Sequence, residues 1–171
     1  MLFLLASTLM LLFQAPSAAL KFDTPKGWAQ KPPASRMRLA EFTLPKADGD
    51  AEDASLGIFH FGGQGGSVQA NLDRWTSQMS QPDGRASKDV AKTSKLDSSG
   101  VAITIVDVSG TYVAETSPGS AERFNKPGFR LRAAVVEGKG GPYFVKLTGP
   151  AKTVAKWDES FLAFLKSLRV E

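Results

Sequence analysis

Leu56–Met79, LGIFHFGGQGGSVQANLDRWTSQM, is the stretch whose reading decides how this chain folds. It reads as strand, glycine turn, helix. Leu56 to Phe61 is short, apolar and rich in aromatics, which suits a strand crossing a packed layer. Gly62, Gly63, Gly65 and Gly66 let the backbone turn sharply without a Cβ penalty. Ser67 is placed to cap the following helix, its hydroxyl accepting from an early backbone N–H. Val68, Leu72, Trp75 and Met79 then recur at spacings of four, three and four, one apolar stripe on a helix. A stripe of that kind closes a core by lying down on a sheet.

Outward from that segment, the two ends of the chain differ. Met1 to Phe13 carries no charge and is nearly all apolar, and Ser17, Ala18 and Ala19 supply the small residues of a signal-peptidase site. The run is shorter than the roughly 20 apolar residues a membrane span needs. Residues 1–19 therefore read as a cleaved secretory signal, although no Lys or Arg precedes the apolar run. Residues 20–171 read as a single domain, exported to the periplasm or released, with no stable membrane insertion after cleavage. The chain has no cysteine. A thiol nucleophile, thiolate metal sites, a lipid-bearing cysteine and disulfides are excluded together, so the domain must stand on its core alone. The net charge of +4 is spread along the chain rather than gathered in a run, and an exported chain of this kind is not expected to bind nucleic acid.

The remaining elements are taken in chain order. Lys21–Trp28 is a short strand broken by a Pro25–Gly27 turn, with Trp28 anchoring the amino terminus, and Lys31–Ala34 is a stiff linker. Met37–Leu44 is a strand with apolar residues on both faces, as if covered on both. Val90–Leu96 is an amphipathic strand. Val101–Val113 carries the strongest strand signal and is placed centrally, with a bend or bulge at Ser109-Gly110. Ala114–Gly128 is polar and rich in Gly and Pro, a mobile loop facing a partner. Phe129–Glu137 and Pro142–Thr148 form a hairpin. In an even register Arg132 falls near Lys146, a like-charge contact that needs a carboxylate from Glu115 or Glu122, or else a surface basic patch. After Gly149-Pro150, the residues Val154, Trp157, Phe161, Phe164, Leu165 and Leu168 form a second helical stripe. Burying six such side chains contributes on the order of 10–15 kcal/mol before chain entropy opposes it.

Candidate chemistry is sparse. Asp48, Asp50, Glu52 and Asp53 gather carboxylates in one turn, but Gly49 is at the wrong offset and Phe59 stands where an EF-hand places its closing Glu. The Gly62–Ser67 turn faces a helix amino terminus, a place for an anion, yet it lacks the Lys of a phosphate loop and the third glycine of a dinucleotide fingerprint. His60 is the sole histidine and has no Cys or second His to complete a zinc site or a triad. No catalytic residue, metal site or cofactor is assigned. The ligand-binding candidates are Gly65, Gly66 and Ser67 in the turn, and Arg130, Arg132 and Lys146 on the hairpin.

The order of elements resembles the α/β/α sandwich of the PsbP family, on Phe22-x-x-Pro25-x-Gly27-Trp28, Phe42-Thr-Leu-Pro45, the late hairpin leading into Gly149-Pro150, and the amphipathic end. The chain also resembles an uncharacterised group of exported bacterial proteins, through Ser35–Pro45, Gly65–Trp75 and Leu147–Pro150. The first resemblance implies an α+β fold, a mostly antiparallel sheet flanked by helices. PsbP docks on a membrane complex and supports retention of its metal and chloride; no residue here carries that role over, and fold alone does not transmit function.

The leading expectation is a non-catalytic exported monomer that docks on a protein or envelope surface. A second is a small-molecule or anion binder using the glycine turn or a basic sheet face. An enzyme working through Asp48 and Asp50, or through Ser67, has no evident base. Because the terminal stripe carries so much of the core, truncation before Val154 is expected to leave no folded domain. Circular dichroism checks this, and a cooperatively melting 1–153 chain contradicts it.

Overall fold

The computed structural model describes residues 20–171, so the expected signal at 1–19 lies outside the described residues. Strands β1 (Leu20–Lys21), β2 (Ala29–Lys31), β3 (Arg38–Leu44) and β4 (Ala54–His60) lead into helix α1 (Val68–Thr76). Next come β5 (Met79–Ser80), the short α2 (Ser87–Val90), β6 (Lys92–Ser98), β7 (Val101–Tyr112), β8 (Lys126–Glu137) and β9 (Tyr143–Pro150). Helices α3 (Ala151–Lys156) and α4 (Asp158–Lys166) and strand β10 (Arg169–Val170) finish the chain.

The main sheet runs β2-β3-β4-β9-β8-β7, with β5 and β6 both on the far edge of β7. Neighbouring strands are antiparallel throughout. A separate ribbon of β1 and β10 ties the two ends of the described chain together. Helices lie on both faces, the expected α/β/α sandwich. On one face, α3 and α4 bring Val154, Phe161, Phe164 and Leu165, with Leu168 just after α4, onto Phe42, Leu56, Ile58, Ile103, Val145 and Leu147. On the other, Leu72 and Trp75 of α1 pack with Met79 against Val108, Leu131, Ala133, Val135 and Phe144.

Several expectations shift in detail, each for a local reason. Helix α1 stops at Thr76, whose hydroxyl bonds back to the Leu72 carbonyl at 3.0 Å; Met79 joins the same core from strand β5 instead. The terminal stripe is two helices, broken at Trp157, whose indole N–H donates to the Pro45 carbonyl at 2.9 Å. Val90 closes the helical turn α2, and the strand after it starts at Lys92. Strand β3 is covered on one face only. Leu39 is the extra residue of a bulge between Arg38 and Ala40, and it and Met37 stand 49% and 54% exposed. Strand β7 lies beside the edge pair β5/β6, and β9 takes the middle of the sheet. The β7 irregularity expected at Ser109-Gly110 falls between Gly110 and Tyr112.

The register of β8 and β9 differs most. Val136 pairs with Tyr143, so Arg132 stands opposite Leu147 and Ala133 opposite Lys146. That is one residue off the even register, and with a side-chain period of two it puts Lys146 and Arg132 on opposite faces. Burial selects it, because Tyr143, Val145 and Leu147 must all face α4, and each is at most 1% exposed.

Phe164 touches the rings of Phe22, Trp28 and Phe42 and is 1% exposed. Phe164→Ala is expected to cost about 3–5 kcal/mol, read as a lowered urea midpoint with an unchanged slope. A loss below about 1 kcal/mol contradicts the α4 packing.

Candidate functional site

Helix α1 has 9 residues, about 14 Å at 1.5 Å per residue. The sheet beneath it has seven strand positions, about 29 Å across at ~4.8 Å spacing. One such helix cannot cover that face. It packs over β7 and β8, and the face of β4 and β9 toward β3 is left open between α1 and the 113–125 loop. The opening is a groove of two adjoining hollows, of about 370 and 500 Å³. Phe59, Tyr112, Glu115, Pro118 and Lys146 line both.

Lys146 is the polar centre of this groove. Its register partner on β4 is Gly57. A Cβ there would meet the Phe59 ring at 2.9 Å, so the missing side chain lets that ring lie across the strand. The ammonium donates to Gln78 Oε1, just past α1, and to the Tyr112 hydroxyl at 3.0 Å, and it lies 5.0 Å from the Tyr112 ring centre. Among the described residues no carboxylate comes within ion-pair distance of it. Burial, with the positive charges of Arg74 and Arg38 added, pulls its pKa down to about 8.

The rest of the groove is aromatic inside and charged at the rim. Phe61, Trp75 and Phe144 pack together at one end, and Tyr112, Phe124 and Phe129 stack at the other. Arg38 pairs with Glu41 at 2.8 Å while lying 5.4 Å from the Phe59 ring centre, and Arg74 donates to Asn71 Oδ1 at 2.7 Å. The rim carboxylates are engaged elsewhere. Glu52 holds Lys126 at 2.7 Å, Glu115 holds Arg123 at 3.7 Å, and Asp53 accepts from the Lys46 backbone N–H. A ligand with an anionic group and a flat apolar body matches this lining: the anion reaches Lys146 and the body lies on the rings.

The other sequence candidates lie elsewhere. Arg130 and Arg132 face α4. Arg130 binds Asp107 at 2.6 Å and Asp158 at 3.0 Å, and Arg132 binds Asp158 at 2.7 Å with its guanidinium 4.8 Å from the Phe161 ring centre. These carboxylates, Asp107 first, push the Arg130 pKa up. The Arg132–Lys146 contact that called for a carboxylate from Glu115 or Glu122 does not form; the arginines are answered by Asp107 of β7 and Asp158 of α4 instead, and they form no basic patch with Lys146. Gly65, Gly66 and Ser67 form a packed connector. A Cβ on Gly65 would meet the Phe144 ring at 2.4 Å, Asn71 Nδ2 donates to the Gly65 and Ser67 carbonyls, and the Ser67 hydroxyl accepts from Ala70 N–H at 3.2 Å. These three residues do not line the groove.

In the acidic turn, Asp50 accepts from the Thr153 backbone N–H and hydroxyl, tying the turn to α3. No group of three or more potential metal-ligating side chains occurs among the described residues. His60 stacks on Tyr143, ring centres 4.3 Å apart. Sequence reading missed Arg38, Gly57, Gln78 and Tyr112. Gly57 did carry a signal, since glycine inside a strand marks a close approach. The other three meet only through tertiary register.

The folded-state pKa of Lys146 is below the ordinary value of 10.5, so between about pH 8 and 10.5 the unfolded chain holds more protons there. Its burial cost is present at neutral pH and fades as pH rises through that window. Wild type is therefore expected to gain stability relative to Lys146→Met between pH 7 and pH 10, read from paired thermal melts. A difference that stays constant with pH contradicts the desolvated ammonium.

No protein-family model and no curated protein matches the chain. Among solved structures, a Pseudomonas aeruginosa protein of unknown function, PA94, is similar at a TM-score of 0.50 and 16% identity, covering 88% of this chain and 96% of its own. The cyanobacterial PsbP of Synechocystis sp. PCC 6803 is similar at a TM-score of 0.49 and 13% identity, covering 93% of this chain and 95% of its own. The likeness to the Pseudomonas protein is one of fold: a helix-flanked antiparallel sheet.

Proposed function

We propose that this chain is a non-catalytic exported binding module, and that its ligand enters the Lys146 groove as an anionic group on a flat apolar body. One observation carries the reading: a partly buried ammonium with no carboxylate partner among the described residues stands in an aromatic groove with Arg38 and Arg74 nearby. Desolvating a cation is costly and is ordinarily offset by a paired anion. A bound carboxylate or phosphate supplies that anion. Export rests on the apolar Met1–Phe13 run and the small residues after it, and no described helix is long and apolar enough to cross a membrane.

Docking on a protein or envelope surface has its own support. Met37 stands exposed just before β3 and Leu39 on it, the strand that brings Arg38 to the groove. Two large apolar side chains beside an anion-seeking groove suit a partner that presents an acidic group next to an apolar patch.

The test is titration calorimetry with 2-naphthoate, against naphthalene-2-methanol as the uncharged control. The carboxylate is expected to bind and the alcohol to bind more weakly. Losing one charge-assisted hydrogen bond costs about 1.5–3 kcal/mol, so Lys146→Met is expected to weaken the carboxylate roughly 10- to 100-fold. Equal affinity for acid and alcohol, or an unchanged affinity in Lys146→Met, contradicts the anion site.

A further inference from the structure

We infer that Lys146 is a carbonyl-capturing amine, which holds small aldehydes or α-keto acids bearing an anionic group as an imine in the groove. The geometry supplies what that chemistry needs. Lys146 lines both hollows, and Gly57 opposite it contributes no side chain to crowd an incoming carbon. Gln78 Oε1 and the Tyr112 oxygen fix the nitrogen as acceptors, which leaves the phenol proton available to a second acceptor. Arg38 and Arg74 are near enough for their charge to act on the amine, and they offer places for the ligand's own carboxylate or phosphate. A lysine flanked by other cations and partly withdrawn from water is the usual form of a nucleophilic amine.

The step balances without any further reactant. The neutral amine's lone pair attacks the carbonyl carbon, and the C–O π pair moves onto oxygen. That oxygen takes up a proton, for which the Tyr112 hydroxyl is the neighbouring donor, and the amine nitrogen loses one. As the hydroxyl of this carbinolamine takes up a second proton, the nitrogen lone pair expels it as water; the iminium then gives up its remaining N–H proton, so the two protons gained by oxygen match the two lost by nitrogen and a neutral C=N bond is left. Amine and carbonyl thus give imine and one water, and no electrons are exchanged. Burial holds the Tyr112 phenol above its ordinary pKa against the opposing pull of Arg38, so it keeps its proton at neutral pH. The lowered pKa of Lys146 leaves a working fraction of neutral amine near pH 7.5. The charged and titratable groups around it are Arg38 from β3, Arg74 from α1, Tyr112 from β7, Lys126 from β8, Glu115 and Arg123 from the loop, and Glu52 and Asp53 from the turn before β4. Glu115, which lines both hollows, is engaged with Arg123, Glu52 with Lys126, and Asp53 with the Lys46 backbone N–H.

This inference rests on the binding proposal only in needing the groove to admit a small anion, and the experiment separates the two. The protein is mixed with sub-stoichiometric pyridoxal 5′-phosphate, glyoxylate or propanal, with cyanoborohydride supplying hydride to fix any imine, and the labelled lysines are mapped by peptide mass spectrometry. Lys146 is expected to take most of the label from the two anionic aldehydes, ahead of the exposed Lys88, Lys95 and Lys139. Its labelling rate is expected to rise with pH to a midpoint near 8, and Arg74→Gln is expected to move that midpoint upward while the exposed lysines are unchanged. Label spread over the exposed lysines with Lys146 unmodified overturns the inference, and the wild-type map gives that result even if a variant fails to fold. Preference for Lys146 with propanal as well as with the anionic aldehydes keeps the amine chemistry and removes the anion preference. Naphthoate binding without Lys146 labelling does the reverse.

Discussion

On the α3–α4 side, Val154, Phe161, Phe164 and Leu165 meet a continuous apolar surface drawn from β3, β4, β7, β8 and β9. That contact decides where every other side chain of the sheet can point. With one face fully buried, a one-residue slip of any strand would turn its apolar set into water, so the register is strongly specified. The residues between the buried ones are committed to the opposite face. Val145 and Leu147 must face α4, and Lys146 between them therefore has to face the α1 side. Leu56 and Ile58 do the same for Gly57. The groove is thus the consequence of a core that forms on the other face of the sheet.

The two faces settle their charges differently. Arg132 is 7% exposed and lies against the Phe161 ring, yet it and Arg130 share Asp107 and Asp158 across the gap between β7, β8 and α4. A buried cation answered by carboxylates is a structural clasp. Lys146 receives two neutral oxygens instead, and its neighbours are cations. An arrangement that costs stability and could be relieved by one Asp nearby is the kind of local conflict that marks a functional position. This contrast, more than the size of the groove, separates Lys146 from the other basic residues.

The architecture was legible in the sequence because it depends on periodicity. The stripes Leu72–Trp75 and Val154–Leu168, the capping Ser67 and the alternation in Val101–Tyr112 all report burial directly; the capped helix and the long strand form as expected, and the terminal stripe is buried as expected although two helices carry it. The misses share one cause. Hairpin pairing is set by turn geometry and by burial on the far face, neither of which shows in a list of alternating residues. Alternation alone therefore suggests an even register, with Arg132 and Lys146 on one face. The bulge that exposes Leu39 and the break at Trp157 are likewise imposed by neighbours distant in sequence, Phe59 across the ladder in one case and Pro45 in the other. Of the six candidate residues, only Lys146 lines the groove. Gln78, Tyr112 and Arg38 join it from three separate parts of the chain.

The central physical claim is that Lys146 carries its charge in a partly desolvated place with no carboxylate of the described residues beside it. The most direct measurement is an NMR titration of the Lys146 Cε–Hε signals, assigned by comparison with Lys146→Arg, from pH 6 to pH 11. The midpoint expected is about 8 in the free protein, rising when an aromatic carboxylate is bound. A midpoint at the ordinary lysine value of 10.5 in the free protein contradicts the claim.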